Sequence, residues 1–254
     1  MRRLPRLLVI NPNTSTGVSQ VIDALVREEV AGAAEVQTVT ASFGFSYIST
    51  RVAVSIAAHA VLDAAAKAIG EGARPDAIVL ACFGDPGREA LAEMTRLPVI
   101  GFAEAGLLAA AAMPGTSLVS TNGTVWCEML GELVLKLGLG DKIAGIRSIE
   151  SVADDARSIA SFLAMEAKAL GAERVVLGGA GLIPVLAEVI AAAEVPVVDP
   201  HRIAIGKALR LAADPLPAAA DAPAPATETF GLSPFLKQAL GQPAPQLQRR
   251  SGGS

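Results

Sequence analysis

The sequence predicts an α/β protein made of two similar halves, each a parallel sheet covered by helices, with a Pro/Ala-rich tail. Three observations lead there. Short β-branched runs alternate with longer Ala-rich amphipathic stretches, the pattern of buried strands lying under helices. Blocks of sequence recur in the same order in both halves. The chain is 52% hydrophobic but only 4% aromatic, so its core must be built from Ala, Val, Leu and Ile.

In chain order, strands are expected at residues 7–10, 36–40, 77–81, 99–101, 117–120, 143–146, 174–177 and 195–198, where apolar runs are nearly continuous. Helices are expected at 14–30, 52–71, 88–94, 102–113, 123–137, 151–170, 182–193 and 200–211, where apolar residues fall at helical spacing. Ser151, followed by Asp154 and Asp155, reads as a capped helix start. The first half is assigned to residues 1–101 and the second to 102–213, with a return of the chain to the first half near 196–213. Residues 214–254 hold seven of the 16 prolines. Those prolines stop helix propagation, so this tail is expected to be mostly disordered, with 230–240 as a candidate docking element.

Composition excludes several functions. With 21 Lys+Arg against 25 Asp+Glu, the net charge of −4 argues against a nucleic-acid binder. Cys82 and Cys127 are the only cysteines and His59 and His201 the only histidines, so neither a zinc cage nor a disulfide framework is expected. The apolar run at 7–10 is too short for a signal peptide or a membrane span. The reading is a cytoplasmic protein with no membrane partner.

The repeat points to the site. IVLACFG at 78–84 matches VVLGGAG at 175–181, an offset of 97, and LPVIG at 97–101 matches VPVVD at 195–199, an offset of 98. LVINPNT at 8–14 resembles LVSTNGT at 118–124. Cys82 and Gly179 therefore occupy equivalent positions. In such sheets ligands bind beyond the strand carboxyl ends. Asn13, Thr14 and Ser15 after the first strand, beside Asn11, can hold a carboxylate or imide oxygen, and Ser120, Thr121 and Asn122 are their counterparts. The competing reading of these residues is ordinary helix capping. Backbone N–H groups at Gly84 and Gly181, flanked by Phe83 and Ala180, can stabilise an enolate. Cys82 precedes a turn where a helix can begin, a setting that lowers a thiol pKa, whereas Cys127 reads as packing. His59 reads as structural. His201 reads as a capping or surface histidine, or else as a substitute proton donor. Gly44, Ser46 and Tyr47 form a loop near the site, with Arg51 able to pair with an anion.

INPNTS at 10–15, ACFGDPG at 81–87, PVIGFAEA at 98–105, LGGAGL at 177–182 and PVVD at 196–199 together resemble the aspartate/glutamate/hydantoin racemase superfamily, nearest its hydantoin and allantoin racemase branch, across about residues 6–212. The resemblance implies a site between two pseudo-symmetric domains, no metal, no organic cofactor, a small carboxylate or hydantoin-like substrate and a homo-oligomer. It also implies one cysteine from each half flanking the substrate α-carbon. Cys82 falls on the first. Gly179 stands where the second is expected, so this chain is expected to act on one face and racemise poorly. The runner-up is a decarboxylase of malonate-type acids, since arylmalonate decarboxylases of the superfamily resemble a one-cysteine site. Nucleophilic attack by Cys82 (cis/trans isomerisation or hydrolysis) and a degenerate binding protein are the remaining readings.

Overall fold

The structure, a computed structural model, describes residues 3–152, 155–214 and 229–241. The first half runs β1 (Arg6–Asn11), α1 (Thr16–Val30), β2 (Glu35–Thr40), α2 (Arg51–Gly70), β3 (Ala77–Leu80), α3 (Arg88–Thr95), β4 (Val99–Gly101) and α4 (Phe102–Ala111). The second runs β5 (Ser117–Thr121), α5 (Thr124–Lys136), β6 (Ile143–Ser148), α6 (Ala156–Leu170), β7 (Arg174–Leu177), α7 (Ile183–Ala192), β8 (Val197–Val198) and α8 (Pro200–Ala213). All strands pair in parallel, in the order β2-β1-β3-β4 and β6-β5-β7-β8. The two sheets therefore repeat one topology, as the sequence blocks predict.

The period of two along each central strand sends alternate side chains to opposite faces. Leu8 and Ile10 of β1 meet Ile78 and Leu80 of β3 under the alanines of α2, while Leu7 and Val9 face the other way. That second face is shared: Val119 of β5 and Val176 of β7 join Leu7, Val9 and Val79 in one core with α1, α4 and α8. Leu118, Val175 and Leu177 pack outward on α6 and α7. Helix α8 leaves the second sheet and lies on α1, α4, β3 and β4. Gly106 makes this possible, because a Cβ there would collide with Pro200.

Two expectations need correction, and the candidate docking element of the tail takes a definite form. Helix α6 is capped by Asp155, whose carboxylate accepts the Arg157 and Ser158 N–H groups at 2.9 Å each. Ser151 lies in the preceding turn, and Asp154 falls outside the described residues. The eighth strand shrinks to two residues. In the tail, a ninth helix, α9 (Pro234–Gly241), docks on α2 and α3, with Leu236 2% exposed and the Phe235 ring against Gly70. Pro234 does not forbid it, because a proline at the first helical position removes no intrahelical bond. Residues 215–228 and 242–254 lie outside the described residues, and the expectation of disorder there goes with them. Helix α2 is long and apolar enough to cross a membrane by length and composition, yet its buried alanines pack on the first sheet and under α9, as in a core helix.

Candidate active site

The carboxyl ends of β1, β3, β5 and β7 present four turns. At the first, Asn11 is fully buried and its Nδ2 donates to Asn13 Oδ1 (3.0 Å), the Ser15 carbonyl (3.1 Å) and Ser19 Oγ (2.9 Å). Ser15 caps α1 by accepting the Val18 N–H at 3.3 Å. Capping thus describes Ser15, whereas Asn11 is a buried amide that braces the turn before α1. Asn13 uses Oδ1 to accept the Ser15 N–H at 2.9 Å, and the Thr14 N–H donates to the Phe45 carbonyl at 3.0 Å. At the β5 turn, Ser120 Oγ and Asn122 Oδ1 are buried with no partner among the described residues. Buried polar atoms are rarely left so without a ligand or water to meet them. Thr121 is also buried beside them.

Cys82 lies beyond the end of β3, partly buried against a small apolar cluster of Ile48, Ala53, Ala57 and Trp126. Its surroundings come from three separate segments, and the nearest following helix begins only at Arg88. Burial therefore pushes the thiol up, and the Asp85 carboxylate adds to the effect. This reverses the expected lowering: at rest Cys82 is a thiol. Cys127 sits on α5, partly buried, with its pKa raised by burial.

Asp85 has a left-handed backbone (φ 51°), and its buried carboxylate accepts the Ala103 and Glu104 N–H groups (3.0 and 2.7 Å) at the start of α4. A Cβ on Gly101 would collide with that carboxylate, which explains the glycine. In the second half the roles exchange. Asp199 stands at the position of Gly101 and caps α8 itself, accepting the His201 N–H at 2.9 Å, while Leu182 replaces Asp85. Burial pushes Asp85 up to about 7, against the pull of the two backbone N–H groups.

The opposite turn holds Gly179, with φ 144°, whose N–H donates to His201 Nε2 at 3.4 Å. His201 is 0% exposed, its Nδ1 is 2.9 Å from Asp199 Oδ1, and its ring meets Phe102 edge-on. It is not a surface histidine. Burial would raise Asp199, but the hydrogen bond from the His201 ring, with those from the His201 and Arg202 backbone N–H groups, brings it below the usual carboxylate range.

The remaining residues named from the sequence sit around these turns as follows. The Phe83 ring is 3% exposed and fills the space over Gly178, so its side chain packs the two halves together. Gly84 lies under the Trp126 ring, and the Trp126 indole donates to the Ile48 carbonyl at 2.8 Å, tying the 41–50 loop to α5. Gly181 has open space about its Cα, and Ala180 is partly buried beside the shared core. Arg51 is engaged by Glu132 (2.7 Å) and Glu128 (3.5 Å) of α5 and is not free for an anion. His59 is exposed on α2, with Phe43 edge-on at 5.1 Å. Among the described residues, no group of three or more His, Cys, Asp or Glu side chains is placed to hold a metal. A cavity of about 270 Å³ bounded by Arg88, Leu97, Glu104 and Lys207 lies at the edge of β4 and includes none of these turn residues.

Comparison with known proteins follows the same lines. The sequence matches the Asp/Glu/Hydantoin racemase family over residues 7–208. It is 32% identical to a hydantoin racemase of Paenarthrobacter aurescens over 204 residues, covering 77% of this chain and 86% of that protein. It is 28% identical to one from Pseudomonas sp. (strain NS671), covering 76% and 80%. Allantoin racemase from Klebsiella pneumoniae has a similar structure, with a TM-score of 0.79 at 26% identity over 92% of this chain and 98% of that one. A glycine-to-cysteine mutant of arylmalonate decarboxylase shares the fold, with a TM-score of 0.59 at 18% identity.

Proposed function

The chain belongs to the Asp/Glu/hydantoin racemase family, and we propose that it is a cofactor-independent isomerase of hydantoin-like or amino-acid-like compounds in which Cys82 moves the α-proton. The observation that supports this most is the position of Cys82: it lies just beyond the end of the central strand β3, opposite Gly179 in the repeat, with a thiol that burial keeps protonated. A carbonyl beside the α-carbon makes that carbon acidic. Loss of the α-proton leaves the electron pair on the carbonyl as an enolate, and a thiol at one face can return a proton to carbon. The Asn13 amide, the Thr14 hydroxyl and the unpartnered Ser120 Oγ, with Thr121, suit the polar edges of such a substrate. Backbone N–H groups of the Gly84 and Ala180–Gly181 turns suit the enolate oxygen.

A second reading is decarboxylation of a malonate-type acid. Gly179 favours it, because CO2 departs with no base and the resulting enolate needs one proton donor only. NMR in deuterated buffer with hydantoins, allantoin, amino acids and malonates separates the readings. The isomerase places deuterium at the α-carbon, the decarboxylase releases CO2, and a binding protein shows a ligand-induced thermal shift alone. Cys82→Ser is expected to lose inversion by about 100-fold or more, since an alcohol is a far weaker acid. An unchanged rate in that variant removes Cys82 from the chemistry.

A further inference from the structure

The geometry points to His201, backed by Asp199, as the acid–base group of the second half, acting on the face that Gly179 leaves without a thiol. The inference rests on the isomerase reading above. Its basis is position. His201 Nε2 lies 3.4 Å from the Gly179 nitrogen, which places it within about 5 Å of the Gly179 Cα. A side chain at 179 would stand beside Thr121 Oγ1 and Leu182, each at 3.6 Å. Those are ordinary contact distances, so glycine leaves a side chain's worth of room beside Thr121 and Leu182. The missing thiol and the buried imidazole thus belong to one location.

The hydrogen bonds also fix the protonation pattern. Asp199 Oδ1 lies 2.9 Å from Nδ1, and Nε2 accepts the Gly179 N–H. The proton therefore sits on Nδ1, and the Nε2 lone pair faces the glycine turn. Asp199 in turn faces Arg202, whose Nε is 3.6 Å from Asp199 Oδ2 and whose guanidinium also pairs with Glu28 and Glu29. Phe102 closes another side of the ring. Asp199 orients the imidazole and stabilises the imidazolium when it forms.

The step balances. The substrate α-C–H replaces the long Gly179 contact at Nε2. The C–H bond breaks, an Nε2–H bond forms, and the electron pair moves to the carbonyl oxygen as an enolate. The Cys82 S–H then breaks, and its proton bonds to the α-carbon on the opposite face. The protein is left as imidazolium and thiolate, the pair that carries the opposite enantiomer back. One side starts as a base and the other as an acid, and no co-reactant is needed. The one-face expectation from sequence gives way, on this reading, to a mixed Cys/His pair.

The test uses the full-length chain in deuterated buffer with separate enantiomers of a 5-substituted hydantoin, allantoin and amino acids. The chain should invert both enantiomers of one of them. Cys82→Ala should lose inversion by at least 100-fold yet still exchange the α-proton of one enantiomer. His201→Gln should lose inversion similarly and exchange only the other enantiomer, and that only in alkaline buffer, where the lone Cys82 thiol ionises. The double variant should exchange neither. Adding Gly179→Cys to His201→Gln should restore part of the inversion. A purely structural His201 predicts something else: Cys82→Ala exchanges neither enantiomer, or His201→Gln loses exchange of both and Gly179→Cys restores nothing. Either result overturns the assignment, as does inversion at the original rate in His201→Gln. Exchange without inversion in the unaltered chain overturns it while leaving the Cys82 reading intact. No exchange with any compound defeats the isomerase reading, and this inference with it.

Discussion

Cys82 and Cys127 differ in surroundings far more than in local sequence. Burial raises both thiols, but Cys82 is raised much further, and Asp85 pushes it in the same direction, whereas Arg147 pulls Cys127 back. Only the thiolate reacts with iodoacetamide. Peptide mapping after alkylation near neutral pH should therefore find Cys127 labelled first, with Cys82 reacting appreciably only in alkaline buffer. Prior labelling of Cys82 at neutral pH would mean that the substrate-free thiol is ionised. The sequence makes the pairing of Cys82 with Gly179 legible, because both hold the same place in a matching block. It does not make the acidity legible, because Ile48, Ala53, Ala57 and Trp126 reach the thiol from other segments. For the same reason the sequence leaves His201 between a capping or surface role and a substitute proton donor: its partner Gly179 lies 22 residues away. The Gly179 position carries its own cost. Space for a Cβ is ordinary, but φ 144° is a conformation that L side chains rarely adopt. Gly179→Cys should therefore lower stability by about 1–3 kcal/mol even where it supplies a thiol, which a urea melt can read.

At the level of elements, α9 overlaps the 230–240 segment expected as a docking element of the tail. Ser233 Oγ accepts the Leu236 N–H at 3.1 Å, and Pro234 begins the helix, an N-cap followed by proline at the first position. That Ser-Pro pair was the readable signal, masked by prolines on both sides. Docking covers the outer face of α2 with Phe235 and Leu236. Truncation after Ala213 should therefore lower the thermal midpoint, and Leu236→Ala should cost about 2 kcal/mol. A midpoint unmoved by either change would show that the helix adds nothing to α2. Helix α6 is a similar case. Its start was sought at Ser151, the first capping residue of the run, but the carboxylate that reaches two orphan N–H groups at once belongs to Asp155. The other helix and strand boundaries were legible within a few residues, because turn residues punctuate the apolar runs sharply.

For the molecule as a whole, two sheets of one topology share a core through Val119 and Val176, so local pH effects at one turn act on the stability of both halves. Asp85 is the group to follow. Burial raises its folded pKa to about 7, against about 4 in an unfolded chain. Between those values the folded protein holds a proton that the unfolded chain has released, so stability falls as pH rises. This contribution is fully present below about pH 4 and is lost as pH passes through about 7. Its size is on the order of 4 kcal/mol. Cys82, also raised by burial, has the same sign and extends the loss into alkaline buffer. Asp199 acts oppositely. Its lowered pKa gives stability above the unfolded value that is lost as acid protonates it. Chemical unfolding at pH 5 and pH 8 should therefore find the chain weaker at pH 8. Asp85→Asn should flatten that slope, because an amide has no proton to lose and still offers an oxygen to the Ala103 or Glu104 N–H. Equal slopes in the two proteins would show that the Asp85 carboxyl is already ionised in the folded state. The two backbone donors at the start of α4 would then outweigh its burial.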